Sequence, residues 1–231
     1  MPDAPALHRY DDGEALAEAL AARVAGQLRA GLVGRGAAVL AVSGGSTPKR
    51  FFERLSQQPL DWASVAVTLV DERWVPESSE RSNARLVKAH LLQHAAAAAR
   101  FVPLYAEAPT PEAAMPALRA RVATLPAPFD AVVLGMGGDG HTASFFPGGD
   151  RLAEALDRKG AARVLPMRAP GAGEPRITFT LPALLDSHAL FLHIEGEAKR
   201  AVLDAACAPG STLPVAAVLR AAPTLETFWC P

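Results

Sequence analysis

Four short runs, AAVLAV at 37–42, VAVTLV from Val65, DAVVLG from Asp130 and ALFLHI from Ala189, are apolar almost throughout instead of alternating with polar residues. A strand without a polar face must be covered on both sides, which is the condition inside a parallel sheet. Segments of helical character lie between and around them. The first, Glu14 to Leu28, places Leu16, Leu20, Val24 and Leu28 at helical spacing behind acidic residues, and glycines follow. Others run from Lys49 to Gln57, Asn83 to His94, Pro111 to Leu125 and Glu197 to Ala206. The alternation predicts an α/β chain with a three-layer, mostly parallel, Rossmann-like sheet and helices on both faces. In such sheets, ligands occupy the crevice beyond the carboxyl ends of the strands.

Composition narrows the partners. The 231 residues suffice for one α/β domain or two small ones, and with no boundary evident we expect one domain over residues 1–231. A formal net charge of −1 argues against nucleic acid, whose phosphates demand clustered Lys and Arg. Arg, Asp, Gly or Pro interrupts every apolar run before a membrane-spanning length, and MPDAPALHRYDDGEALAEAL lacks the pattern of a secretory signal. A cytoplasmic location is expected. Cys207 and Cys230 form no C-x-x-C motif and read as ordinary reduced residues.

Three of the apolar runs open into unusual loops. Val42 is followed by Ser43-Gly44-Gly45-Ser46-Thr47-Pro48. Two glycines let backbone N–H groups approach a ligand, and Thr47 as N-cap with Pro48 as first helical residue opens a helix N-terminus there. That suits a phosphate, although a tight turn with an ordinary cap is an equal alternative. Val70 is followed by Asp71-Glu72-Arg73 and, further on, ERSNARL with Arg85. Arg73 and Arg85 are candidate clamps for a phosphate or carboxylate; a surface ion-pair cluster explains them equally well.

The third loop, Gly135-Met136-Gly137-Gly138-Asp139-Gly140-His141, fits G-x-G-x-x-G after a strand. A dinucleotide site also needs a sustained helix at the loop and an acid about 20 residues on. Pro147 and Gly148-Gly149 break the chain instead, and the strand-like run Val164 to Met167 ends near Arg168. Asp139 and His141 remain: an imidazole able to exchange protons near neutrality, beside a carboxylate able to fix its tautomer. There is no G-x-S-x-G elbow, and His90 and His94 lack the glutamate of H-E-x-x-H. No metal or other cofactor is expected.

Taken together, VSGGSTP, VDERWVPESSERSN, VVLGMGGDGHTASFFPG and RITFTLPALLDSHALFLHIEGEAKRAVL closely resemble the 6-phosphogluconolactonases of the pentose phosphate pathway, from about Val39 to Leu219. Glucosamine-6-phosphate deaminases share the SGG.TP, DE and G.G.DGH skeleton but look like DGHIAFNEP after it, where this chain has Thr142-Ala143-Ser144-Phe145-Phe146-Pro147. Phe145, where many relatives carry Leu, and a short N-terminal region are the departures from the lactonase pattern.

The resemblance implies the fold of that superfamily and a small sugar-phosphate lactone as partner, 6-phospho-D-glucono-1,5-lactone. It further implies a phosphate resting on Gly44, Gly45, Ser46 and Thr47 with Lys199 and Arg176 adding charge, His141 as base and then acid, and Asp139 orienting it. Arg73 or loop N–H groups would meet the oxyanion. Ser43, Asn83, Arg85, Gly137 and Gly138 are expected nearby, with Asp71 either catalytic or holding the loop. A monomer or weak homodimer is expected. The rivals are a deaminase using Asp71 as base, and a non-catalytic sugar-phosphate sensor, for which no basic helix-turn-helix segment exists.

Overall fold

The four apolar runs lie side by side as expected, within a larger sheet. The computed structural model describes residues 6–231; residues 1–5 of the segment read for a signal lie outside them. In chain order the elements are β1 (Ala6–Arg9), α1 (Gly13–Arg35), β2 (Ala38–Val42), α2 (Lys49–Ser56), β3 (Val65–Leu69), β4 (Asp71–Arg73), α3 (Asn83–His90), β5 (Arg100–Val102) and α4 (Pro111–Val122). There follow β6 (Ala131–Leu134), α5 (Leu152–Leu156), β7 (Val164–Met167), β8 (Arg176–Phe179), α6 (Leu181–Leu185), β9 (Leu190–Glu195), α7 (Glu197–Cys207), α8 (Pro214–Ala221) and β10 (Glu226–Cys230).

Seven strands form one sheet in the order β1-β10-β9-β6-β2-β3-β5, and every pairing in it is parallel. The central strands β2, β3 and β6 are buried along their whole length, which is why their sequences show no alternation. Helix α1 buries Leu16, Leu20, Val24 and Leu28 and packs on α2. It runs seven residues beyond the expected Leu28, because its true stop is Gly36, whose left-handed φ of 71° lets its N–H close on the Leu32 carbonyl. The run at 95–99, expected as a frayed end or linker, falls mostly in a 3₁₀ turn, His94–Ala98.

A second, three-stranded antiparallel sheet, β4-β8-β7, departs from the expectation that Asp71-Glu72-Arg73 is a loop. Its charged residues hid the strand, and the partner that makes it one, β8, is about a hundred residues away in sequence, with Asp71 opposite Thr178 and Arg73 opposite Arg176. Val70 alone separates β3 from β4. Its N–H donates to the Val42 carbonyl at 2.9 Å and its carbonyl accepts from Phe179 N–H at 2.9 Å, so a single residue spans the two sheets.

From β2 the chain proceeds to one side through β3 and β5, and to the other through β6 and β9. Chain order therefore reverses between β2 and β6, the place where open α/β sheets leave a crevice.

Candidate active site

A cavity of about 230 Å³ opens beyond the carboxyl ends of β2 and β6. All three loops singled out in the sequence reach it, together with β8, β9 and the first turn of α7. Ser43 to Pro48 form one wall. Ser43 stitches the first loop to the third, its Oγ accepting from Gly135 N–H at 2.9 Å. Thr47 is not the N-cap: that position falls on Pro48, and among the described residues no side chain caps α2, which leaves the first amides of the helix for the loop to present. Gly44 passes so close to Asn83 that a Cβ would overlap the Asn83 carboxamide. Asn83 is itself fixed by donating from Nδ2 to the Asp71 carbonyl at 2.9 Å.

Strand β4 divides its side chains by the pleat. Asp71 and Arg73 line the cavity, whereas Glu72 points away and is completely buried. Glu72 closes the N-terminus of α3: its carboxylate accepts from Arg73, Asn83 and Ala84 N–H, each at 2.8 Å. Burial pushes its carboxyl up to about 7, against the pull of those same amides. Asp71 accepts from Ser144 Oγ at 2.6 Å and lies 3.6 Å from the Arg176 guanidinium. Arg176 stacks over Phe146 and donates to the Ala172 carbonyl at 2.7 Å; Arg73, opposite it in the register, donates to the Arg81 carbonyl at 2.6 Å. Two like charges facing each other across a ladder are unfavourable unless an anion is shared.

The third loop explains its own glycines. Gly137 N–H bonds the His141 carbonyl at 2.8 Å, folding the loop back until the His141 ring and Asp139 carboxylate cover residue 137, where any Cβ would overlap both. Asp139 then accepts from the His141 backbone N–H at 3.1 Å and from Nδ1 at 2.5 Å. Burial alone would raise the Asp139 carboxyl, but these two donors outweigh it and hold it below its ordinary value. With Nδ1 engaged and the ring stacked on Phe146 at 4.3 Å, His141 presents its other nitrogen, Nε2, to the cavity. Lys199 reaches in from α7 and rests on the Met136 carbonyl at 2.5 Å; burial lowers its ammonium.

The structure thus gathers Ser43, Gly44, Gly45, Ser46, Thr47, Asp71, Arg73, Asn83, Gly137, His141, Arg176 and Lys199 around one space. Asp139 stands behind His141 rather than on the cavity wall. Gly138 and Arg85 do not line it. Gly138 is exposed at the outer bend of its loop, and Arg85 lies on the solvent side of α3, donating to the Ser78 carbonyl at 2.6 Å. Sequence reasoning missed Ser144, His193 and Ala143, the last with a left-handed φ of 48° in the cavity wall. The histidine in ALFLHI was the one visible signal, a polar residue within a buried run. Among the described residues no group of three or more His, Cys, Asp and Glu is placed to hold a metal ion, and no helix is long and apolar enough to cross a membrane.

Chemically, the cavity offers three cations against one lining carboxylate, an open helix N-terminus, and an imidazole backed by an ionised acid. That combination binds an anion at one end and moves a proton at the other.

Comparison with known proteins agrees in sequence and in shape. Residues 11–229 match the family described as glucosamine-6-phosphate isomerases/6-phosphogluconolactonase. The chain is 56% identical over 228 residues to a 6-phosphogluconolactonase of Rhizobium meliloti (strain 1021), covering 97% of this chain and 98% of that one. To a 6-phosphogluconolactonase of Pseudomonas aeruginosa it is 45% identical, with 99% and 97% covered. The crystal structure of a 6-phosphogluconolactonase from Shewanella baltica OS155 superposes with a TM-score of 0.95 at 39% identity over the full length of both chains. By its sequence and its fold, the chain belongs to the glucosamine-6-phosphate isomerase/6-phosphogluconolactonase family.

Proposed function

We propose that this chain hydrolyses 6-phospho-D-glucono-1,5-lactone to 6-phospho-D-gluconate, the second step of the oxidative pentose phosphate pathway, acting in the cytoplasm as one domain over residues 1–231 and as a monomer or weak homodimer. The observation that carries the reading is the His141–Asp139 pair, with Nδ1 held at 2.5 Å and the His141 side chain lining the cavity. The phosphate rests on the amides of Gly44 to Thr47, with Lys199 leaving the Met136 carbonyl to meet it. His141 Nε2 takes a proton from water as its oxygen attacks C1, and Asp139 steadies the imidazolium. Arg73, with loop N–H groups, offsets the charge that grows on the carbonyl oxygen. The C1–ring oxygen bond then breaks and the ring oxygen takes the proton back from His141.

Deamination is the weaker reading because Asp71, the acid that would abstract a carbon-bound proton, is 5% exposed and already engaged by Ser144. The test feeds the protein lactone freshly generated by glucose-6-phosphate dehydrogenase and compares ring opening with ammonia release from glucosamine 6-phosphate. Fast ring opening without ammonia is expected, and His141→Ala should cost on the order of 10² to 10⁴ in kcat. Near-normal turnover by that variant would remove His141 from the role.

A further inference from the structure

His193 is an unusual residue to find in the middle of a buried strand. It is 3% exposed, lies on β9 in the cavity wall beside Pro48 and Phe52, and meets Phe51 edge-on. One ring nitrogen is accounted for, since Nε2 is 3.0 Å from Glu195 Oε1. The other, Nδ1, is buried with no hydrogen-bond partner among the described residues. A buried polar atom with no partner in the wall of an anion seat is explained if the partner arrives with the ligand.

The chemistry fixes what must accompany that arrival. The hydrogen bond from His193 holds the Glu195 carboxyl below its ordinary value, and Arg50 of α2 lies 3.6 Å from the same carboxylate. Glu195 is therefore an acceptor, and a ring with a single proton carries it on Nε2. Nδ1 is then a lone pair, which repels a phosphate oxygen. With Glu195 ionised and holding the Nε2 proton, Nδ1 becomes a donor by taking a second one. We infer that His193 is a proton-coupled positioning residue of the anion seat: it takes up a proton when a phosphate dianion enters, and the imidazolium is held between the Glu195 carboxylate and the bound anion.

The surrounding charges favour this. Lys199 approaches from α7, His141 from the loop after β6, and Arg73 and Arg176 with Asp71 from the small sheet. Cys230 of β10 pairs in register with Glu195. A dianion bound among these groups adds negative charge beside the ring, which favours its protonated form. Binding of a phosphorylated ligand should accordingly consume protons and tighten toward lower pH.

The inference rests on the phosphate end of the proposed function and on no step at His141. Its test records imidazole nitrogen resonances of the full chain through a pH titration, alone and with saturating inorganic phosphate or 6-phosphogluconate. The His193 titration midpoint is expected to rise by about one unit or more with either anion. His193→Gln, which keeps a partner for Glu195 but accepts no proton, should raise KM for the phosphorylated lactone several-fold more than it lowers kcat, and flatten the pH dependence of KM. The non-phosphorylated lactone should be indifferent to the substitution. A midpoint unmoved by saturating anion, or a His193→Gln enzyme whose KM for the phosphorylated lactone is unchanged, overturns the inference. Were the lactone not hydrolysed while the midpoint still moved with phosphate, the functional reading would fail and this one would stand.

Discussion

Replacing Asp139 by Asn isolates what the carboxylate does for His141. The side chains are nearly the same size, and Asn keeps an acceptor for the His141 backbone N–H, now 3.1 Å away. The 2.5 Å contact to Nδ1 changes character. Both bonds end on one oxygen, Asp139 Oδ1, so an amide oxygen in its place still accepts from Nδ1–H but carries no charge to strengthen that bond or steady the imidazolium. A hydrogen bond to a charged group contributes about 1.5–3 kcal/mol. The Asp139 side chain is 45% exposed, so water shares the interaction and the lower half of that range applies. That amounts to roughly a ten- to fiftyfold loss in kcat, well short of the ~10⁴ seen where an orienting aspartate is fully buried. The assay follows 6-phosphogluconate formation from fresh lactone, with the spontaneous rate subtracted, and fits kcat and KM separately. KM should scarcely move, because Asp139 is not on the cavity wall. A kcat within threefold of the unaltered enzyme, or a loss confined to KM, would refute the assignment.

Other perturbations read other parts of the site. Lys199→Ala should raise KM for the phosphorylated lactone at least tenfold and leave a non-phosphorylated lactone unaffected; an equal effect on both would place the phosphate elsewhere. Gly44→Ala drives a methyl into the Asn83 carboxamide and should cost on the order of 1–3 kcal/mol by chemical denaturation, much of it recovered in the Gly44→Ala, Asn83→Ala double variant. Additive losses in that cycle would show that the two residues do not meet. Glu72 supplies a pH test: folding raises its carboxyl from its ordinary 4.5 to about 7, so the folded state holds that proton more tightly than the unfolded chain. Its stabilising contribution is complete below about pH 4.5 and gone above about pH 7, on the order of 3 kcal/mol across the window. Unfolding free energies of Glu72→Gln should lack that slope; parallel pH profiles for the two proteins would count against it.

What the residues disclose on their own follows the range of the forces involved. Burial on both faces is written into AVLAV, VAVTL and AVVL, so the centre of the sheet was legible. The strand β4 was not, because three charged residues form a strand only when Arg176 to Thr178 arrive from far along the chain. The edge partners β1 and β10 escaped for a related reason: their pairing is a contact between the two ends of the chain. At the site, glycines and the Asp139–His141 spacing carried their own geometry, since that bond closes over two residues. His193 and Ser144 carry theirs only through distant neighbours, Ser144 by reaching Asp71 and His193 by sharing the cavity wall with the loop that opens α2.

The single residue between β3 and β4 has a consequence for how such a site can change over time. Val70 is bonded forward and backward with no slack. One inserted or deleted residue there would turn β4 over, presenting Glu72 to the ligand and sending Asp71 and Arg73 into the body of the protein. Altered substrate preference in descendants of this chain is therefore expected to accumulate by substitution at fixed length around Val70, and by changes of length in the segment between Phe146 and Val164, ahead of the register of β7.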